Sequence, residues 1–426
     1  MSLIGESQVP DRSQANQDYP LSAVPLSDRK PIWSLAPLLM GFALTSTTLL
    51  AGGKLGSSLR FADMLWVMVI GNVALGSYCA ALAYIAAKSG LSTVLMARFS
   101  FGAIGSRWVD FILGFTQIGW YAVTNAFIAD ALLKLLNLPE SLEWFAIAFF
   151  TYAFCVTAYL GYTAMDWLSR LAVPAMLVLI ALSLSIGFRD AGNLFALVPT
   201  QSIGFTEAIA VVIATFISGG TQATNWSRYA DSTKNAVWST LSAFMLINGL
   251  LIFAGAFCTL VYGTNDLIEA MAKQGLLLGG LILLILNVWT TQDNTIYAFS
   301  IAGSNFFRTS KRTAFVLGGS TFALILALGG IYGQMIPFLL FLGTVIPPVG
   351  GIIMADYWFS RKGSFPSLES PLPAFNWAGV IAYGVAAAIA QFSSATGFGI
   401  APINGVVSAA VLYVILSRVL PSSLRA

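Results

Sequence analysis

Histidine is absent from the chain, and Asp, Glu, Lys and Arg together supply 9% of its residues. The missing imidazoles exclude His metal sites, Ser-His-Asp triads and His proton relays. A soluble globular domain carries about a quarter charged residues, so most of this chain has no water to face. The three cysteines, Cys79, Cys155 and Cys258, stand singly in apolar runs. Scattered thiols in odd number form neither a disulfide framework nor a metal cluster, and read as small buried hydrophobes. A net charge of +3 over 426 residues leaves no basic footprint for nucleic acid. Residues 1–31 lack an apolar run, so they are not a signal peptide, and read as a polar, mobile cytoplasmic tail.

What the chain has in abundance is hydrophobic residues, 57% of the total. A bilayer core takes roughly 20 apolar residues as helix. By that measure twelve transmembrane helices are expected near 33–53, 62–87, 109–136, 143–162, 168–188, 207–226, 236–262, 275–301, 313–330, 334–357, 374–393 and 400–419. The fold class is therefore an all-α polytopic membrane protein. Arg12, Arg29, Lys30, Lys88, Arg98, Arg107, Arg170, Arg228, Lys234, Arg308, Lys311, Arg312, Arg361, Lys362, Arg418 and Arg425 fall on one side. Lys54, Arg60, Lys134, Arg189 and Lys273 fall on the other. This bias places both termini in the cytoplasm, as an even number of spans also requires. The basic segment Lys88–Arg107 is too short to span, and reads as a re-entrant or interfacial helix or as an ordered loop.

Polar groups interrupt the hydrocarbon in three spans. The first carries Gly41 and the cluster Thr45, Ser46, Thr47 and Thr48 at mid-membrane. This pattern suits either an unwound helix offering carbonyls or close helix packing. The sixth has Gly219-Gly220 followed by Thr221, Gln222, Thr224 and Asn225, which predicts a broken helix. Interrupted helices at corresponding positions of two halves point to the binding site of a secondary transporter. In the eighth, Asn287, Thr290, Thr291 and Asn294 make one polar stripe. Its neutral oxygens suit a hard monovalent cation such as Na⁺, or interhelical hydrogen bonding. Asp293 is open to three roles: proton carrier, cation neighbour or structural acceptor. Trp120 and Phe216 can each serve as a packing or interfacial-belt ring, or present a flat face to a cavity beside Gln117 and the glycine pair.

AGGKLG (51–56), KSGLSTVLMARFSFG (88–102), TQIGWYAV (116–123), ATFISGGT (214–221), QGLLLGGLILLILNVWTTQDNTIYA (274–298) and IPPVGGIIMADYW (346–358) occur in that order. From about Pro37 to the last span, the chain resembles the cytosine permeases of the nucleobase–cation symporter family (NCS1). The resemblance implies a membrane domain over 32–420 with a five-plus-five inverted repeat (LeuT-like) and discontinuous helices 1 and 6. Repeat one would cover about 33–188 and repeat two about 207–357. Two extra helices would fill about 374–419, and 421–426 would form a cytoplasmic tail. It further implies a secondary active transporter in the cell inner membrane, importing cytosine or a closely related neutral nucleobase by Na⁺ symport.

By matching motif position the base would stack between Trp120 and Phe216, its edge read by Gln117, Ser218, Gln292 and Thr215. Na⁺ would be held by the carbonyls of Phe42 and Thr45, with Gly41 adjacent, by the Asn287 carbonyl, and by the hydroxyls of Thr290 and Thr291. Gln292 stands where cytosine permeases typically have asparagine, and TSTTLL (45–50) replaces a more aromatic, Ser-rich stretch. Purines, hydantoins and hydroxymethylpyrimidines are therefore alternative cargoes, and protons an alternative coupling ion. No cofactor, nucleic acid or obligate protein partner is expected. A channel finds no repeated filter motif here. An enzyme finds no metal cluster and no acid/base partner for Asp293.

Overall fold

A computed structural model of the chain describes residues 18–196, 198–264, 266–331 and 335–421, without the side chains of 335–337, 339 and 340. Among these residues the secondary structure is helical, apart from an isolated bridge between Lys30 and Ala230. Seven of the described helices are long and apolar enough to cross a membrane: Phe61–Ser89, Ser106–Leu135, Glu140–Leu160, Tyr162–Asp190, Thr233–Tyr262, Trp377–Thr396 and Ala401–Val419. Two further spans are bent pairs, Ile32–Ala43 with Ser46–Ser58 at 55° and Phe205–Ala214 with Ile217–Ser227 at 52°. Leu277–Phe306, Arg312–Leu328 and the pair Met335–Val345 and Pro347–Ala355 lie in the eighth, ninth and tenth stretches. Helix thus occupies each of the twelve stretches marked by hydropathy.

Both expected breaks are present, and one lies earlier than its glycines suggest. The first span opens at Leu44 and Thr45, the latter fully extended (φ −131°, ψ 141°). The sixth opens at Phe216 (φ −136°, ψ 10°), before Gly219-Gly220 rather than at them. The glycine pair serves close approach instead. A Cβ on Gly220 would lie 2.3 Å from Cys79 Sγ, and one on Gly219 would lie 2.9 Å from the Phe216 and Phe42 rings.

The AGGKLG motif works in the same way. Cβ atoms on Gly52 and Gly56 would fall 2.1 Å from Ile252 O and 2.7 Å from Ala256 O. Across the seam, one on Gly255 would fall 1.9 Å from Leu49 O. Small residues four apart let two helix backbones touch where lipid offers no hydrophobic drive for association. The second half of the first span is thereby fixed to the seventh.

At the basic end of the molecule, Lys88–Arg107 contains a helix, Thr93–Phe101, that is largely buried. The segment 18–31 is packed rather than free, which corrects the expectation of a mobile tail there. Residues 1–17 and 422–426 lie outside the described residues. Arg228 donates to Asp18 O and Tyr19 O at 2.7 and 2.8 Å, and Arg312 pairs with the Asp18 carboxylate at 3.4 Å. Arg29 donates to Ala87 O and Ala230 O. The bond to Ala87 O satisfies a carbonyl in the last turn of Phe61–Ser89 that the helix cannot satisfy itself, and the others tie the segment to residues next to it.

Gly255→Val is expected to cost roughly 1–3 kcal/mol or more by forcing the two backbones apart. Gly384→Ala, which meets nothing within 4 Å, is expected to stay within roughly 0.5 kcal/mol of the parent. Thermal unfolding of the two variants in detergent checks the contrast, and equal midpoints would contradict it.

Candidate functional site

The two helix breaks face each other across a cavity. The first span supplies Phe42, Thr45 and Thr47, and the third supplies Gln117, Trp120 and Thr124. Thr215, Phe216, Ser218 and Gly219 come from the sixth, and Thr291 and Thr295 from the eighth. The cavity holds about 30 Å³ of water-accessible space, room for roughly two waters and not for a heteroaromatic ring. A ring enters only if the aromatic walls move. Phe216 lies edge-on to Phe42 at 5.2 Å and against Phe244 at 5.3 Å, while Trp120 meets Phe338 edge-on at 5.8 Å.

Gln117 is 1% exposed, and its Nε2 has no hydrogen-bond partner among the described residues. A buried amide donor left unpaired costs about 1–3 kcal/mol, so a polar ligand edge gains by meeting it. Ser218 Oγ lies 3.4 Å from Thr116 Oγ1, a weak bond that leaves the hydroxyl available. Five of the six residues expected around a ring, Trp120, Phe216, Gln117, Ser218 and Thr215, are thus brought to one cavity. Thr124 and Thr295 were missed, and Thr47, singled out only within the hydroxyl cluster of the first span, was given no place at the ring. Helical spacing carried a signal for two of them, since 117, 120 and 124 share a face, as do 291 and 295.

Beside the cavity lies a set of oxygens. Thr290 Oγ1 is 3.1 Å from Gly41 O, and Thr291 Oγ1 is 3.1 Å from Leu44 O. Asn287 O lies 2.9 Å from Thr291 Oγ1 and 3.3 Å from Thr290 Oγ1. The set consists of three carbonyls and two hydroxyls, all oxygen donors of the kind a hard cation takes. In the first span the carbonyls facing the hydroxyls are those of Gly41 and Leu44, not Phe42 and Thr45. The last bond of the first half-helix runs from Leu44 N to Met40 O. Carbonyls from Gly41 onward are freed by the break, and 41 and 44, three apart, share the face toward the eighth span. Phe42 and Thr45 instead line the cavity.

A family model for permeases of cytosine/purines, uracil, thiamine and allantoin matches residues 24–416. The chain belongs to this permease family. It is 36% identical to the cytosine permease of Escherichia coli strain K12 over 411 residues, 96% of each chain. The hydantoin permease of Microbacterium maritypicum is 21% identical over 430 residues, covering 90% of this chain and 84% of that one. Among solved structures, the fold matches Mhp1, a nucleobase-cation-symport-1 family transporter, in a closed conformation with bromovinylhydantoin bound. The TM-score is 0.81 at 17% identity, over 95% of this chain and 97% of that one. The permease is a transporter and not an enzyme, and its LeuT-like architecture has discontinuous first and sixth helices.

Two residues of the permease's eighth span turn away from the cavity. Gln292 is fully buried, and its Nε2 donates to Tyr121 O and Asn125 Oδ1, both at 2.8 Å. It ties the eighth span to the third instead of reading a ring edge, because it lies one position, and so about 100°, round the helix from Thr291. Asp293 Oδ2 accepts from Thr157 Oγ1 of the fourth span at 2.9 Å, and its Oδ1 accepts from Asn294 Nδ2 at 3.0 Å. The polar stripe divides accordingly. Asn287 Oδ1 accepts from Ser46 N and Oγ at 3.1 and 2.9 Å, satisfying the start of the second half-helix of the first span.

Gln292→Ala is expected to lower stability by roughly 1–3 kcal/mol, since Asn125 Oδ1 and the Tyr121 carbonyl lose their donor. Ligand preference across a nucleobase panel should keep its order. Unfolding midpoints and competition binding on the purified variant check both halves, and a reordered panel with unchanged stability would contradict the placement.

Proposed function

We propose that this permease imports cytosine or a closely related neutral nucleobase by Na⁺ symport. It would work across the cytoplasmic membrane, with both termini inside and the repeats 33–188 and 207–357 rocking about the cavity. The observation that carries this reading is the position of Thr291. It lines the aromatic cavity, and its hydroxyl belongs to the five-oxygen set.

The chemistry of each part suits its ligand. A flat base gains roughly 1–3 kcal/mol by stacking on an aromatic side chain, which Trp120 and Phe216 offer. Its edge meets the unpartnered Gln117 amide and the hydroxyls of Ser218 and Thr215. Na⁺ would sit among Gly41 O, Leu44 O, Asn287 O and the hydroxyls of Thr290 and Thr291. Cation binding would draw the first and eighth spans together across that set, firming the cavity wall that contains Thr291. By linkage the base then tightens Na⁺ binding by the same factor. Protons are the less favoured partner, because Asp293 bonds to Thr157 and Asn294 and does not line the cavity.

Uptake of radiolabelled cytosine into proteoliposomes, with and without an inward Na⁺ gradient, tests the reading. Accumulation is expected only with the gradient. Equal uptake without it would overturn Na⁺ coupling, and uptake of a purine or hydantoin in place of cytosine would overturn the cargo. Trp120→Ala is expected to weaken ring binding by on the order of tenfold or more, the worth of one stacking face. Thr290→Ala should raise the Na⁺ concentration for half-maximal uptake while sparing the cytosine affinity at saturating Na⁺.

A further inference from the structure

The seventh span is not a uniform α-helix. Ser242–Ile247 is wound as a π-helix, and α-helix resumes at Asn248. Such local π turns shift the register of the residues beyond them and recur at functional sites. Here the residue delivered inward is Asn248, which is 0% exposed.

Asn248 is bonded in every direction. Its Nδ2 donates to Asn72 Oδ1 of the second span at 2.9 Å and to Thr215 Oγ1 at 3.1 Å. Its Oδ1 accepts from Thr48 Oγ1 of the first span at 3.3 Å. The amide therefore links both broken spans, next to each break. Neither Asn248, Asn72, Thr48 nor Thr215 has a buried polar atom left without a partner, in contrast to Gln117.

The network has a direction. Asn72 Nδ2 donates to Met68 O at 2.8 Å, which leaves Asn72 Oδ1 as an acceptor and fixes the amide end that Asn248 turns to it. Thr215 has one proton and two lone pairs. Val212 O takes the proton at 2.7 Å. Asn248 Oδ1 is also 3.2 Å from Thr215 Oγ1, but it is farther away than Val212 O and already served by Thr48. One lone pair of Thr215 is used by the Asn248 Nδ2, and the other is left for the cavity that Thr215 lines.

We propose that Asn248 is a positioning residue for substrate selection. By donating to Thr215 it fixes that hydroxyl as an acceptor toward the cavity, so the permease favours rings that offer an N–H at that edge. Set against the ring's 4-position, that acceptor pairs with the amino group of cytosine and opposes the carbonyl oxygen of uracil, so the amino pyrimidine is preferred over its oxo counterpart. The proposal rests on the reading of the cavity as the nucleobase site.

The test uses the full-length permease in proteoliposomes with Na⁺ present, measuring labelled cytosine uptake in competition with uracil. Asn248→Asp keeps the shape of the side chain and removes its N–H donors. The preference for cytosine over uracil is expected to fall on the order of tenfold, the worth of one edge hydrogen bond. The change should appear in KM, with the maximal rate within about twofold of the parent, as for a lost ground-state contact. Thr215→Ala should do the same, and the double variant should be no worse than Thr215→Ala alone.

An unchanged cytosine-to-uracil ratio in folded Asn248→Asp would overturn the proposal. So would additive losses in the double variant, or an equal loss for both bases with a fallen maximal rate. If the aspartate does not fold, Asn248→Ala removes the same donors and is read by the same ratio. A parent protein that takes up neither base overturns the nucleobase reading and this one together. A parent that prefers cytosine beside variants that still do overturns the role of Asn248 alone.

Discussion

In hydrocarbon a broken helix must return every freed backbone group to a partner, because no water is there to take it. The first span answers that constraint against the eighth. Opening at Leu44 and Thr45 frees the Gly41 and Leu44 carbonyls, and the hydroxyls of Thr290 and Thr291 stand 3.1 Å away to receive them. On the far side of the break, Ser46 N finds Asn287 Oδ1. One helix turn of the eighth span thus serves both edges of the gap. The oxygens that make the break tolerable are, with Asn287 O, the ones proposed to hold the coupling cation.

This arrangement explains why glycines cluster around the breaks. A side chain on Gly41 would press on Thr290 Cβ at 3.2 Å, and one on Gly219 would press on the rings of Phe42 and Phe216. Gly52, Gly56 and Gly255 then seat the second half of the first span on the seventh. Backbone contact makes the pair a stiff unit, so relative motion is left to the interrupted turns at 44–45 and 215–216. The site lies between these two breaks, where a small shift of the walls can open the space that a ring needs.

Hydropathy and charge made the spans legible, since length and apolarity leave few alternatives in a bilayer. The cavity was largely legible as well. Trp120, Phe216, Gln117, Ser218 and Thr215 are brought together because polar residues at mid-membrane have few places to go. What failed was the fine register. A one-residue shift exchanges Phe42 and Thr45 for Gly41 and Leu44, and composition alone cannot show which carbonyls of a freed turn face a neighbour. Gln292 misled for a similar reason, as an amide beside a polar stripe looks like part of it until the helix face is known. Asn248 gave no signal, because its approach depends on a π turn that hydrophobic periodicity does not reveal.

The central claim is that the ring cavity and the oxygen set form one coupled site through Thr291. Equilibrium binding of cytosine to the purified permease across a range of Na⁺ concentrations, paired with Na⁺ binding across a range of cytosine, tests it most directly. Each ligand is expected to tighten the other by the same factor. Cytosine binding that is indifferent to Na⁺ would contradict it.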